Sequence, residues 1–141
     1  MPDRDVVLAK VAVIQRCMRR IKESTELDPS ALENIDKQDI FVLNLQRAVQ
    51  AAIDLAAHIV ASEGLGLPDS IKDNFKLIKG AGIISGSIFL KMEAMSGFRN
   101  IAIHDYRAID IDVLKSIMVK HLRDLEDFYT SVLLYFKISA G

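Results

Sequence analysis

Residues 37–63 read KQDIFVLNLQRAVQAAIDLAAHIVASE, and the spacing of their apolar side chains decides the fold class. Phe41, Leu45, Ala48, Ala52, Leu55 and Ile59 recur at steps of three and four, which draws one stripe along an α-helix. Ile40, Leu43 and Ile53 broaden the apolar surface. A helix from about Lys37 to Glu63 is therefore predicted as the central element, about 40 Å long at 1.5 Å per residue. Gly64-Leu65-Gly66-Leu67-Pro68 ends it, because glycine tolerates the left-handed cap and proline cannot continue a helix.

The segments on either side repeat the pattern. Toward the N-terminus, Val7, Val11, Ile14, Met18 and Ile21 predict a helix over Arg4–Lys22. Asp28-Pro29-Ser30 then reads as a connector, with proline just after an Asp cap. Beyond Pro68, Asp69 or Ser70 caps a short helix bearing Ile71, Phe75, Leu77 and Ile78, which stops at Gly80-Ala81-Gly82. That glycine pair has no preceding strand and no Gly-Lys-Ser/Thr after it, so it marks a helix end rather than a phosphate loop. Ile84, Ile88, Met92 and Met95 predict a further helix running toward Gly97, a candidate kink. Asp110 or Asp112 opens the last one, with Leu114, Ile117, His121, Leu125, Phe128, Val132 and Tyr135 in its stripe. No run reads as a strand. The expected architecture is all-α: an antiparallel bundle of four long helices plus one short helix, as a single domain over residues 1–141.

Composition narrows the function. Half of the 141 residues are apolar, a quarter are charged and three are proline, the profile of a packed helical domain. A net charge of -1 supplies no bulk attraction for nucleic acid, so any such role rests on a local patch. Arg4, Lys10, Arg16, Arg19, Arg20 and Lys22 form one such cluster on the first helix, read as a solvated face or as a phosphate-attracting surface. Cys17 is the sole cysteine, which excludes an intramolecular disulfide. MPDRDVVLAK lacks the apolar core of a secretory signal, and no uncharged run reaches the roughly 18 residues of a membrane span. A cytoplasmic protein without membrane contact is expected.

Chemistry concentrates in Gly97-Phe98-Arg99-Asn100-Ile101-Ala102-Ile103-His104-Asp105-Tyr106. Read as one helix, Arg99 and Tyr106 share a face, while Asn100, His104 and Arg107 share another. Arg99 and His104, five residues apart, diverge by about 140°, so a site using both sits at a groove edge or across a symmetric interface. A histidine takes and returns protons near neutral pH, and an arginine is a permanent forked cation suited to phosphate. Together they suffice for metal-free cleavage of an RNA phosphodiester. The other reading has Arg99 pairing with an acid and His104 capping a helix. His58, with Asp54 four residues earlier, and His121, on the last stripe, read as structural. The three histidines and one cysteine have no zinc spacing, and Asp110, Asp112, Asp124, Glu126 and Asp127 read as caps or solvated carboxylates. Met92, Met95 and Phe98 read as core.

Residues 99–106 fit the R-N-x3-H-x-Y pattern, and in this the chain resembles the HepT family, toxins of the HEPN helical ribonuclease superfamily. Phe41-Val42-Leu43-Asn44-Leu45-Gln46, Asp54, Gly66-Leu67-Pro68, Phe75, Leu77 and Ile109-Asp110 extend the resemblance over most of the sequence. The resemblance implies a metal-independent endoribonuclease, the toxin of a type VII toxin–antitoxin pair, needing no cofactor. It implies a nucleotidyltransferase antitoxin as partner, RNA as substrate, and a homodimer in which two motifs line one cleft. Arg99 and His104 would be the catalytic pair, Asn100 a support for their geometry, and Tyr106 the acceptor of AMP from the antitoxin. A bulky anion at Tyr106 would compete with RNA for the arginine's phosphate position. The alternative is a non-catalytic helical module that docks the nucleotidyltransferase.

Overall fold

The computed structural model describes residues 1–139, apart from the side chains of residues 71 and 72. Its spine is α2 (Ile35–Glu63), which starts two residues before the sequence places it because Asn34 caps it. The Asn34 Oδ1 accepts the Asp36 and Lys37 N–H groups at 3.0 and 3.2 Å, satisfying two of the donors a helix start leaves open. Phe41, Leu45, Ala48, Ala52, Leu55 and Ile59 are each 0% exposed. The buried strip is narrower than expected, since Leu43 is 45% exposed and Ile40 only half-buried. Gly64 turns left-handed at φ 63°, and the Leu65 N–H donates back to the Val60 carbonyl at 3.0 Å. By length and composition α2 would pass for a membrane span, but 61% of its most apolar window is buried by the other helices, which marks a core helix.

α1 (Arg4–Thr25), capped by Asp3, forms the most extensive interface with α2. Contacts from the Met1 amine to Glu63, the Asp3 N–H to His58 Nε2 and Lys10 to Asp54 place the start of α1 against the end of α2. The pair is antiparallel. His58 is therefore fixed by a backbone donor 55 residues away and not by Asp54, which Gln50 and Lys10 hold at 2.8 and 3.5 Å. Asp28 caps a 3₁₀ segment, Pro29–Glu33, that links the two helices.

α3 (Ile71–Gly80) buries Phe75 and Ile78; the side chain of Ile71, assigned to the same stripe, lies outside the described residues. Phe75 meets Phe128 edge to face at 5.6 Å, pinning α3 to the last helix. The glycine pair does end α3: Gly82 sits at φ 79°, and the Ile83 N–H returns to the Ile78 carbonyl. α4 (Gly86–His104) runs through Gly97 without a break and buries Met92, Met95 and Phe98.

The last helix differs from expectation. It is two helices, α5 (Ile111–Lys120) and α6 (Leu122–Phe136), parted at His121. Asp124 accepts from His121 Nδ1 at 3.0 Å and lies 3.7 Å from Lys91 of α4, so side chains clamp the junction instead of letting the helix run on. Among the described residues six α-helices result, with the all-α architecture intact.

Candidate active site

α4 begins at Ser85, whose hydroxyl accepts the Ile88 N–H at 3.1 Å, and it delivers the polar stretch at its far end. His104 is its last residue. Asp105 leaves helical geometry at φ -151°, ψ 73°, although its N–H still reaches the Ile101 carbonyl at 2.8 Å. The chain then makes a 3₁₀ turn, Tyr106–Ala108, before Asp110 caps α5 by accepting the Asp112 N–H at 2.8 Å.

This ending separates what a single helix would have joined. Arg99 and His104 both stay on α4, about 140° apart and about 7.5 Å apart along its axis. Tyr106 lies beyond the helix, so it does not share Arg99's face. It crosses instead to the first turns of α2, where its hydroxyl donates to Asp39 Oδ1 at 2.5 Å, with Gln38 Oε1 at 3.5 Å. Partial burial, and then the Asp39 carboxylate, push the Tyr106 phenol up to about 12, since both penalise the phenolate. Asp39 and Gln38 carried no signal in the sequence, because only the fold brings them to a tyrosine 67 residues away.

Arg99 is half-buried. Its Nη1 donates to Asn100 Oδ1 at 3.0 Å, and its Nε is buried with no hydrogen bond among the described residues. Asn100 thus holds one arm of the guanidinium fork. Among the described residues no carboxylate pairs with Arg99, and exposed His104 makes no hydrogen bond or ion pair. Neither the acid partner nor the capping role considered for these two side chains is present there.

Two surface features stand out, one between α1 and α2 and one beside α4. Arg16 and Arg20 of α1 and Arg47 of α2 line a groove of about 540 Å³ together with Ile40 and Asn44. Leu90, Met95 and Phe98 of α4 and Ile117 of α5 line a mainly apolar pocket of about 260 Å³ that also includes His121 and Asp124. Among the described residues no three of His, Cys, Asp and Glu gather as a metal-binding group.

With bundle and motif described, the chain is matched over residues 14–132 by the family model described as Ribonuclease HepT-like, and it belongs to that family. It is 36% identical over 124 residues to the mRNA nuclease HepT of Shewanella oneidensis, covering 88% of this chain and 93% of the relative. Among solved structures, a toxin–antitoxin with AMP-PNP superposes with a TM-score of 0.87 at 34% identity, covering 92% of this chain and 98% of the other. The tri-AMPylated Shewanella oneidensis HEPN toxin in complex with MNT antitoxin gives 0.86 at 35% identity and the same coverage.

Proposed function

We propose that this chain is a metal-independent endoribonuclease, the toxin of a type VII toxin–antitoxin pair. Arg99 and His104 cut RNA, and AMP transfer to Tyr106 by a nucleotidyltransferase antitoxin silences it. The observation that carries the reading is an uncommitted arginine–histidine pair at the end of α4, in a member of a ribonuclease family. His104 takes the proton of a ribose 2′-hydroxyl, or returns one to the departing 5′-oxygen, as the 2′-oxygen attacks the adjacent phosphorus. The Arg99 fork, steadied by Asn100, balances the charge that builds on the phosphorane. The Arg16, Arg20 and Arg47 groove supplies local cations for the RNA backbone that the net charge of -1 does not.

The pair works as a homodimer. Leu90 (64% exposed) and Ile101 (50% exposed) stand on one face of α4, which also carries His104 within about 60°. Two copies meeting on this face bring their histidines together and allow each Arg99 to serve a shared cleft. The protein acts in the cytoplasm, where RNA, ATP and its partner are available.

RNA incubated with purified chain in EDTA tests this reading. Cleavage by the wild type and a loss of at least about 100-fold in Arg99→Ala and His104→Ala is expected. Undiminished cleavage by both variants sinks the assignment. Absence of cleavage by the unmodified wild type, with a tight nucleotidyltransferase complex, selects the docking module instead.

A further inference from the structure

We propose that Asp39 is the general base for AMP transfer to Tyr106: the toxin brings its own base to its own modification site. The inference rests on Tyr106 being the AMP acceptor. Its physical ground is the 2.5 Å hydrogen bond from the Tyr106 hydroxyl to Asp39 Oδ1, the short geometry of a hydroxyl donating to a charged carboxylate. The proton to be lost is donated to that carboxylate before the reaction begins. Tyr106 is 38% exposed, so the side chain is not sealed off from an incoming nucleotide.

A base in contact answers a specific difficulty. A phenol pushed up to about 12 is almost entirely un-ionised at neutral pH, so a mechanism that waits for free phenolate starves of nucleophile. The same carboxylate that opposes early ionisation can accept the proton as the new bond forms, where it lowers the barrier. Asp39 accepts from the Tyr106 hydroxyl of the 3₁₀ turn, and that hydroxyl also lies 3.5 Å from the uncharged Gln38 amide oxygen. Among the described residues no lysine, arginine or histidine forms an ion pair with Asp39.

The step balances. The Tyr106 oxygen attacks the α-phosphorus of ATP, and an O–P bond forms. The bond from that phosphorus to the oxygen bridging the β-phosphate breaks, and its electron pair departs on pyrophosphate. The phenolic proton moves to Asp39 Oδ1 and from there to water. No oxidant or further reactant is required.

The test follows the initial rate of AMP addition to Tyr106 by intact mass, with the full chain, its nucleotidyltransferase, Mg²⁺ and ATP, from pH 6.5 to 9. Wild type, Asp39→Asn and Asp39→Glu are compared, with affinity for the nucleotidyltransferase measured for each. Wild type should be nearly flat above pH 7, where a carboxylate is ionised. Asp39→Asn should be slower by about 100-fold at pH 7, with a rate rising about tenfold per pH unit as the phenol ionises unaided. Asp39→Glu should recover much of the rate. An Asp39→Asn rate within about threefold of wild type, with the same pH profile, overturns the assignment of Asp39 alone. Wild type that carries no AMP on Tyr106 overturns the underlying reading as well, so the two failures are told apart.

Discussion

Tyr106 holds its hydroxyl against Asp39, and that contact reaches beyond the modification chemistry. The folded chain keeps this phenol protonated up to about pH 12, whereas an unfolded chain ionises it near the ordinary tyrosine value of about 10. Below about 10 both states hold the proton, and this source of stability is at its full value. Between the two values the unfolded chain binds fewer protons than the folded one, so stability falls as pH rises. Denaturant unfolding at pH 9, 10 and 11 should show that decline in wild type and a shallower one in Tyr106→Phe; identical slopes would contradict it. At the same scale, Arg99 was legible in the sequence as a forked cation suited to phosphate, whose pairing with an acid stayed open, and the structure supplies the Asn100 side chain as its partner through a 3.0 Å hydrogen bond. Asp39 was not legible. An aspartate near the start of a long helix reads as a solvated or dipole-favoured acid, and nothing local announces a tyrosine 67 residues away.

Among the elements, the stripes of α1 and α2 were readable because burial imposes a period of three to four on every helix facing a core. Phe128 shows what that burial is worth: it is 0% exposed and packed edge to face on Phe75, so Phe128→Ala should cost about 3–5 kcal/mol. Asn34→Ala, which removes the cap of α2, should cost about 1 kcal/mol. Urea melts of both variants check the ranking. The two helix ends that matter most carried weaker signals. At His121 the apolar stripe continues across the break, and the interruption comes from His121, Asp124 and Lys91 meeting in three dimensions. At His104 no glycine or proline follows, and the chain turns away to place Tyr106 against α2. AMP on Tyr106 removes the hydroxyl proton from that contact and sets a phosphate charge near the Asp39 carboxylate. The segment 105–109 should therefore gain hydrogen exchange on modification while α2 and α1 keep theirs.

At the scale of the whole molecule, the all-α bundle followed from periodicity alone, while the proposal of a composite site starts from an angle. About 140° between Arg99 and His104 does not suit a site on one helix surface. If the proposed homodimer forms on the exposed face of α4, Ile101→Arg should give a monomer in sedimentation and abolish RNA cleavage while the helical circular-dichroism signal persists. An Ile101→Arg monomer that cuts RNA as well as wild type would show each chain to be sufficient. The most direct measurement takes one preparation of the chain before and after treatment with its nucleotidyltransferase and ATP. It reads intact mass and RNA cleavage in EDTA side by side, with Tyr106→Phe as the companion. The expected result is cleavage by the unmodified chain, its loss in step with AMP on Tyr106, and activity in Tyr106→Phe that the nucleotidyltransferase cannot remove by AMP transfer. Equal cleavage by the unmodified and the AMP-bearing chain would contradict the switch, and no cleavage by the unmodified chain would contradict the ribonuclease.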